Sequence, residues 1–209
     1  PLVDPRLRPK LAILDSDLLD ELPPGLIADT GFDVLTHAVE GFTASNAGTI
    51  PDLLAQDAFR TAFACLPASY AGDKSVRLRL HMASTLAGIA FSRSGLGLCH
   101  AMAHVLGGRF HIPHGRLNAI LLPAVISGNA PAAQAKYARL ARAAGLGGSA
   151  DTVALRNLKN GLIRLRKDLG LPQTLSQAGA PPAQVWANEA DHCTADYGRM
   201  RCLFRLPRR

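Results

Sequence analysis

The chain has 209 residues, 48% of them hydrophobic and 19% charged, a balance that supports a buried core and argues against a disordered polypeptide. Its formal charge of +7 raises nucleic acid as a partner, yet residues 199–209 hold five arginines and no acid, leaving +2 on residues 1–198. Basicity confined to a tail argues against a recognition surface spread over a folded face.

The chain opens on Pro1 with no basic-then-apolar leader, which reads as a cut inside a longer, cytoplasmic protein without a signal peptide. KLAILD, residues 10–15, has a β-branched centre and predicts a strand or an extended lead-in. Helix starts follow at Asp15 or Asp17, then a break at Pro23-Pro24 and a helical run to about Phe42. Helical spacing returns at Asp52 to Leu66, through Leu53, Leu54, Ala58, Phe59, Ala62 and Phe63. Val76 to Phe91 predicts another helix with Leu78, Leu80, Met82, Leu86 and Ile89 as its core. Glycines bound the next, Gly95 to Leu106, and Pro113-His114-Gly115 reads as a loop. Leu117 to Ile126 reads as a helix buried all round; its apolar run, broken at Pro123, is too short to cross a bilayer, so no membrane partner is expected. Helices at Ala132 to Ala144, Thr152 to Leu169 and Pro182 to Ala190 complete an all-α bundle. Cys65, Cys99, Cys193 and Cys202 form no CxxC pair, which fits reduced thiols rather than a disulfide framework.

Four of the seven histidines, His100, His104, His111 and His114, lie in GLCHAMAHVLGGRFHIPHG, residues 97–115. His100 and His104 are spaced i, i+4 and share a helix face; Asp33 and His37, in GFDVLTHAVEG, have the same spacing. Three imidazoles and a carboxylate suit Zn²⁺ or Fe²⁺ and are too rich in nitrogen for Mg²⁺ or Ca²⁺. Spacing alone leaves the alternative open that these are histidines lining a packed bundle, each bonded to a backbone carbonyl.

DVLTHAVEG (residues 33–41) and GLCHAMAHVLGGRFHIPHGRLNAILLP (residues 97–123) resemble the two signature segments of the iron-containing (group III) alcohol dehydrogenases. The likeness runs from about Leu11 to Ala195 and is strongest to the ethanolamine-utilisation branch through GIAFSRSGLGLCHAMAH, residues 88–104. The resemblance implies the helical C-terminal domain of a two-domain, dehydroquinate-synthase-like fold. It assigns residues 1–16 to the end of an N-terminal dinucleotide-binding domain, 17–195 to the metal-binding domain and 196–209 to a divergent basic tail. It implies metal ligands at Asp33, His37, His100 and His114, and a catalytic His104 beside substrate and nicotinamide that passes a proton to solvent.

The implied cofactors are Fe²⁺, with Zn²⁺ as the alternative, and NAD(P) held by the N-terminal domain. The implied substrate is a small primary alcohol or aldehyde. Family members commonly pair, which implies a homodimer, and the ethanolamine branch implies association with a bacterial microcompartment. His111, His81 and His192 are read as ordinary loop or core histidines, Cys99 as a small core residue, and Glu40 as a solvated acid near the ligand helix, with hydrogen-bonded support of a metal ligand as its second reading.

No glycine-rich phosphate loop follows a strand: GLGLCH lacks the strand and GLGGS, residues 145–149, reads as a connector. The expectation is therefore a half-enzyme that does not turn over alone. The arginine-rich end resembles a shifted reading frame or a truncated gene. Two other functions remain open at this stage. One is a metal-dependent hydrolase on a helical scaffold, for which Asp191-His192 is the nearest acid–histidine pair; the other is a non-catalytic helical remnant.

Overall fold

The computed structural model describes residues 4–7 and 9–181, and among these every regular element is helical. Residues 10–15 form no strand; Leu11 and Ile13 are exposed, and the chain there meets no second strand to pair with. The expected helix at Asp15 or Asp17 is a single 3₁₀ turn, Asp17–Leu19.

Helix α1, Pro24–Thr43, starts with proline at its first position, where a missing N–H costs nothing and the fixed φ suits the helix. Its Ala28, Phe32, Leu35, Val39 and Phe42 recur at three- and four-residue steps and are fully buried or nearly so. α1 is the hub of the bundle. It packs on α2 (Thr49–Tyr70), α3 (Arg77–Ser94) and α5 (His114–Ala143), and touches α4 (Leu98–Phe110). Helix α6, Asp151–Asp168, covers the far side of α5.

Other expectations change. In α3 the core is made by Ala83, Ala87 and Ala90, whereas Leu78, Met82 and Ile89 are exposed; the alanine stripe lets the helix approach α1 and α2 closely and turns the larger side chains outward. Leu53 of α2 is also exposed, just past the first turn of that helix. The helices expected at 117–126 and 132–144 are one element kinked at Ala133 (φ −130°), two residues after Pro131. That helix begins at His114, so the expected loop histidine is the first residue of α5. The reading of Leu117 to Ile126 as buried all round nearly stands, with Ala124 exposed.

The contact of α1 with α5 fixes the site. A Cβ on Gly115 would lie 1.9 Å from the Asp29 carbonyl oxygen, so only glycine lets the two backbones meet there. Beside it, Arg116 forks onto the Asp29 carboxylate at 3.2 and 3.0 Å. The helix expected at Pro182 to Ala190, the basic tail, His192, Cys193 and Cys202 lie outside the described residues.

Candidate metal centre

Three helices deliver the chemistry. On α1, Asp33, His37 and Glu40 fall at i, i+4 and i+7 and project from one face. α4 supplies His100 from its first turn, and α5 supplies His114 from its first residue. Ligating atoms of Asp33, His37 and His100 all lie within 4.8 Å of one another. Asp33 Oδ1 stands 3.4 Å from His100 Nε2 and 3.6 Å from His114 Nε2, and Asp33 Oδ2 is 3.8 Å from His37 Nδ1. His114 thus stands beside the tighter trio and reaches it through Asp33.

Of the two readings of Glu40 the solvated acid fails: the side chain is 4% exposed and organises α4. Its carboxylate accepts from the backbone N–H groups of Gly97 (2.9 Å), Cys99 (2.6 Å) and His100 (3.3 Å). These are orphan donors of the helix N-terminus, and the negative charge also meets the positive end of the helix dipole. The same carboxylate lies 2.7 Å from His100 Nδ1. A proton on Nδ1, held by Glu40, leaves the lone pair on Nε2 facing Asp33.

His100 Nε2 is buried and has no hydrogen-bond partner. A buried polar nitrogen without a partner is costly, and either a proton shared with Asp33 or a bound ion relieves that cost. Two ligands each about 2.1 Å from a tetrahedral ion stand roughly 3.4 Å apart. The separations of 3.4 and 3.6 Å from Asp33 Oδ1 to His100 and His114 are near that spacing, while the 3.8 Å to His37 is from the other oxygen, Oδ2. Three nitrogens and one carboxylate therefore suit Fe²⁺ or Zn²⁺ at this point.

Two groups invisible to sequence reading complete the surroundings. Asn118, one turn after His114 on α5, donates from Nδ2 to Asp33 Oδ1 at 2.7 Å and lies 3.1 Å from His114 Nε2. Phe91 stacks on His37 at 4.5 Å, and His37 stacks on His100 at 4.4 Å, so the rings are held as a column. The i, i+4 step from His114 was the only signal for Asn118. His104 is exposed, its ring 4.7 Å from that of His114 and 6.4 Å from that of His100, at the open side of the cluster. His111 caps the end of α4 in the left-handed conformation (φ 55°), and Cys99 is buried beside Asn118, its thiol pushed up by burial.

The electrostatics separate the imidazoles. Burial works against a charged His100, but the carboxylates of Asp33 and Glu40 on either side outweigh it and raise the pKa to about 9. Burial wins at His37, which falls to about 4, and it also lowers His114. At pH 7 the metal-free site therefore carries one extra proton, on His100 Nε2 facing Asp33, with His37 and His114 neutral. An incoming cation must displace that proton, so its apparent affinity falls about tenfold for each pH unit below 9. Titrating Zn²⁺ into weakly buffered protein with an indicator dye at pH 7 should release about one proton per ion; no release would contradict this charge state.

The family pattern for the C-terminal region of Fe-containing alcohol dehydrogenases matches residues 27–207 and so extends past Ala195, the expected limit of the likeness. The 1-propanol dehydrogenase PduQ of Citrobacter freundii is 44% identical over 193 residues, covering 90% of this chain and 52% of its own. The probable alcohol dehydrogenase EutG of Salmonella typhimurium is 39% identical over 188 residues, covering 88% and 47%. The structure of the iron-containing alcohol dehydrogenase from Thermococcus thioreducens superposes with a TM-score of 0.81 at 35% identity, covering 91% of this chain and 48% of that one. The chain spans about half the length of the curated relatives it matches.

Proposed function

Because the chain belongs to the iron-containing alcohol dehydrogenase family, we propose that it forms the metal-binding half of an NAD(P)-linked dehydrogenase interconverting small primary alcohols and aldehydes. The observation that carries this reading is the convergence of Asp33, His37, His100 and His114, with the buried Nε2 of His100 left to a ligand. Fe²⁺ is the ion the family suggests, and the same donors would hold Zn²⁺. The ion would supply Lewis-acid polarisation of the alcohol or carbonyl oxygen.

The chain's own residues do the rest. Asp33 offsets positive charge at the centre, and Glu40 keeps the His100 lone pair aimed inward. Phe91 and His37 wall the cluster with stacked rings, which limits water on that side. His104, exposed at the mouth beside His114, is placed to carry the alcohol proton to solvent. In this reading the dinucleotide is bound by the N-terminal domain that the resemblance implies.

The reading separates ligands from neighbours. Titration with Co²⁺, followed by its visible absorption, should show one ion per chain. His114→Ala should lose most of that binding and His104→Ala should keep it. Cobalt bound equally by wild type and His114→Ala would remove His114 from the ligand set. The hydrolase reading gains nothing from the structure, because Asp191-His192 lies outside the described residues.

A further inference from the structure

We propose that Asn118 is a positioning residue of the metal centre: its side-chain amide holds neutral His114 with the proton on Nδ1, so that the nitrogen beside Asp33 is bare before any ion arrives. The proposal rests on the metal-binding reading above and adds to that site a residue that is not one of its ligands.

Asn118 is fully buried on α5, one turn after His114. Water cannot satisfy its amide there, so both hydrogens of Nδ2 need acceptors inside the protein. Two stand within hydrogen-bond reach, on side chains of different helices. Asp33 Oδ1 is 2.7 Å from Nδ2 and His114 Nε2 is 3.1 Å from it.

Charge decides which end of the amide points at them. An ionised carboxylate only accepts, so the amide atom beside Asp33 Oδ1 must be the NH₂ nitrogen. A reversed amide would set oxygen against oxygen. The other end agrees, because Cys99 Sγ lies 3.5 Å from Asn118 Oδ1 and 3.7 Å from the Asn118 carbonyl oxygen, where its S–H meets only acceptors. Cys99 is itself fully buried and tied through its backbone N–H to Glu40 Oε1 at 2.6 Å. The amide is fixed from both sides.

That orientation sets the tautomer of His114. An NH₂ nitrogen only donates, so the imidazole nitrogen it faces carries the lone pair and the proton of the neutral ring sits on Nδ1. A free histidine side chain prefers the reverse, with its proton on Nε2. Glu40 orients His100 from behind, through Nδ1, whereas Asn118 acts on the ligating nitrogen of His114 itself. Coordination through Nε2 therefore requires the amide to give up His114, while Asp33 Oδ1 can keep it.

Long-range ¹H–¹⁵N correlation NMR on the ¹⁵N-labelled, metal-free chain at pH 8 reads the tautomer, with the His114 signals identified by their loss in His114→Ala. The wild type should show a protonated Nδ1 and a bare Nε2. Asn118→Ala should turn the ring to Nε2–H and weaken Co²⁺ binding about tenfold or more. A wild-type His114 protonated on Nε2 would overturn the proposal without any variant, as would an Nδ1 proton that survives in folded Asn118→Ala. If that variant fails to fold, the wild-type tautomer alone decides. Unchanged Co²⁺ affinity in Asn118→Ala would overturn the positioning role. A wild type that binds no cobalt overturns the metal centre itself, a failure that the tautomer, read without metal, keeps apart.

Discussion

Gly115→Ala is expected to part α1 from α5 and to lower both stability and metal affinity. The added Cβ would meet the Asp29 carbonyl oxygen at 1.9 Å and its carbon at 2.5 Å. Those are backbone atoms inside a helix and cannot rotate away. Overpacking of this kind costs about 3 kcal/mol. Asp29 lies one turn before Asp33, and Gly115 directly follows His114, so the strain falls on two of the proposed ligands at once. Urea unfolding and Zn²⁺ titration read the two effects. Gly108→Ala is the control: nothing lies within 4 Å of its added Cβ, and a helical alanine gains up to about 1 kcal/mol over glycine. Wild-type stability in Gly115→Ala would show that α1 and α5 do not meet as described.

The second large effect is expected from Glu40→Gln. The substitution keeps size and shape but replaces one acceptor oxygen with an NH₂ group. That group must then face a backbone N–H of Gly97, Cys99 or His100, or the Nδ1–H of His100, all of which donate to Glu40 now. Losing the partner that orients a metal-binding histidine costs about 10- to 100-fold in affinity. Competition with a calibrated chelator measures it. Zn²⁺ affinity equal to wild type would mean that Glu40 caps α4 without orienting His100. Gly97→Ala should act in the same direction, because its Cβ would lie 2.7 Å from Glu40 Oε1.

Periodicity made most of the bundle legible. Apolar residues three and four apart marked α2, start and break signals marked α1, and the paired i, i+4 steps at Asp33/His37 and His100/His104 marked the faces that meet. The failures share one physical cause: burial is decided by neighbours distant in sequence. Nothing near position 40 announces that the N-terminus of α4 will dock on its carboxylate 57 residues later. Leu78, Met82 and Ile89 look like a core stripe, yet the smaller alanines of α3 win the close contact and leave those side chains in solvent. The sequence separates a helix at 117–126 from one at 132–144, yet α5 runs through both and only bends, at Ala133. Leu11 and Ile13 look like a strand, but a strand needs a partner and the described residues supply none.

One experiment bears on the whole account: crystals of the protein grown with Fe²⁺ or Zn²⁺, measured at the metal's absorption edge. A single anomalous peak is predicted, within about 2.0–2.2 Å of Asp33, His37, His100 and His114, with Glu40 still on His100 Nδ1. A peak that touches His104 or His111 in place of those side chains, or no peak among the three helices, would contradict it.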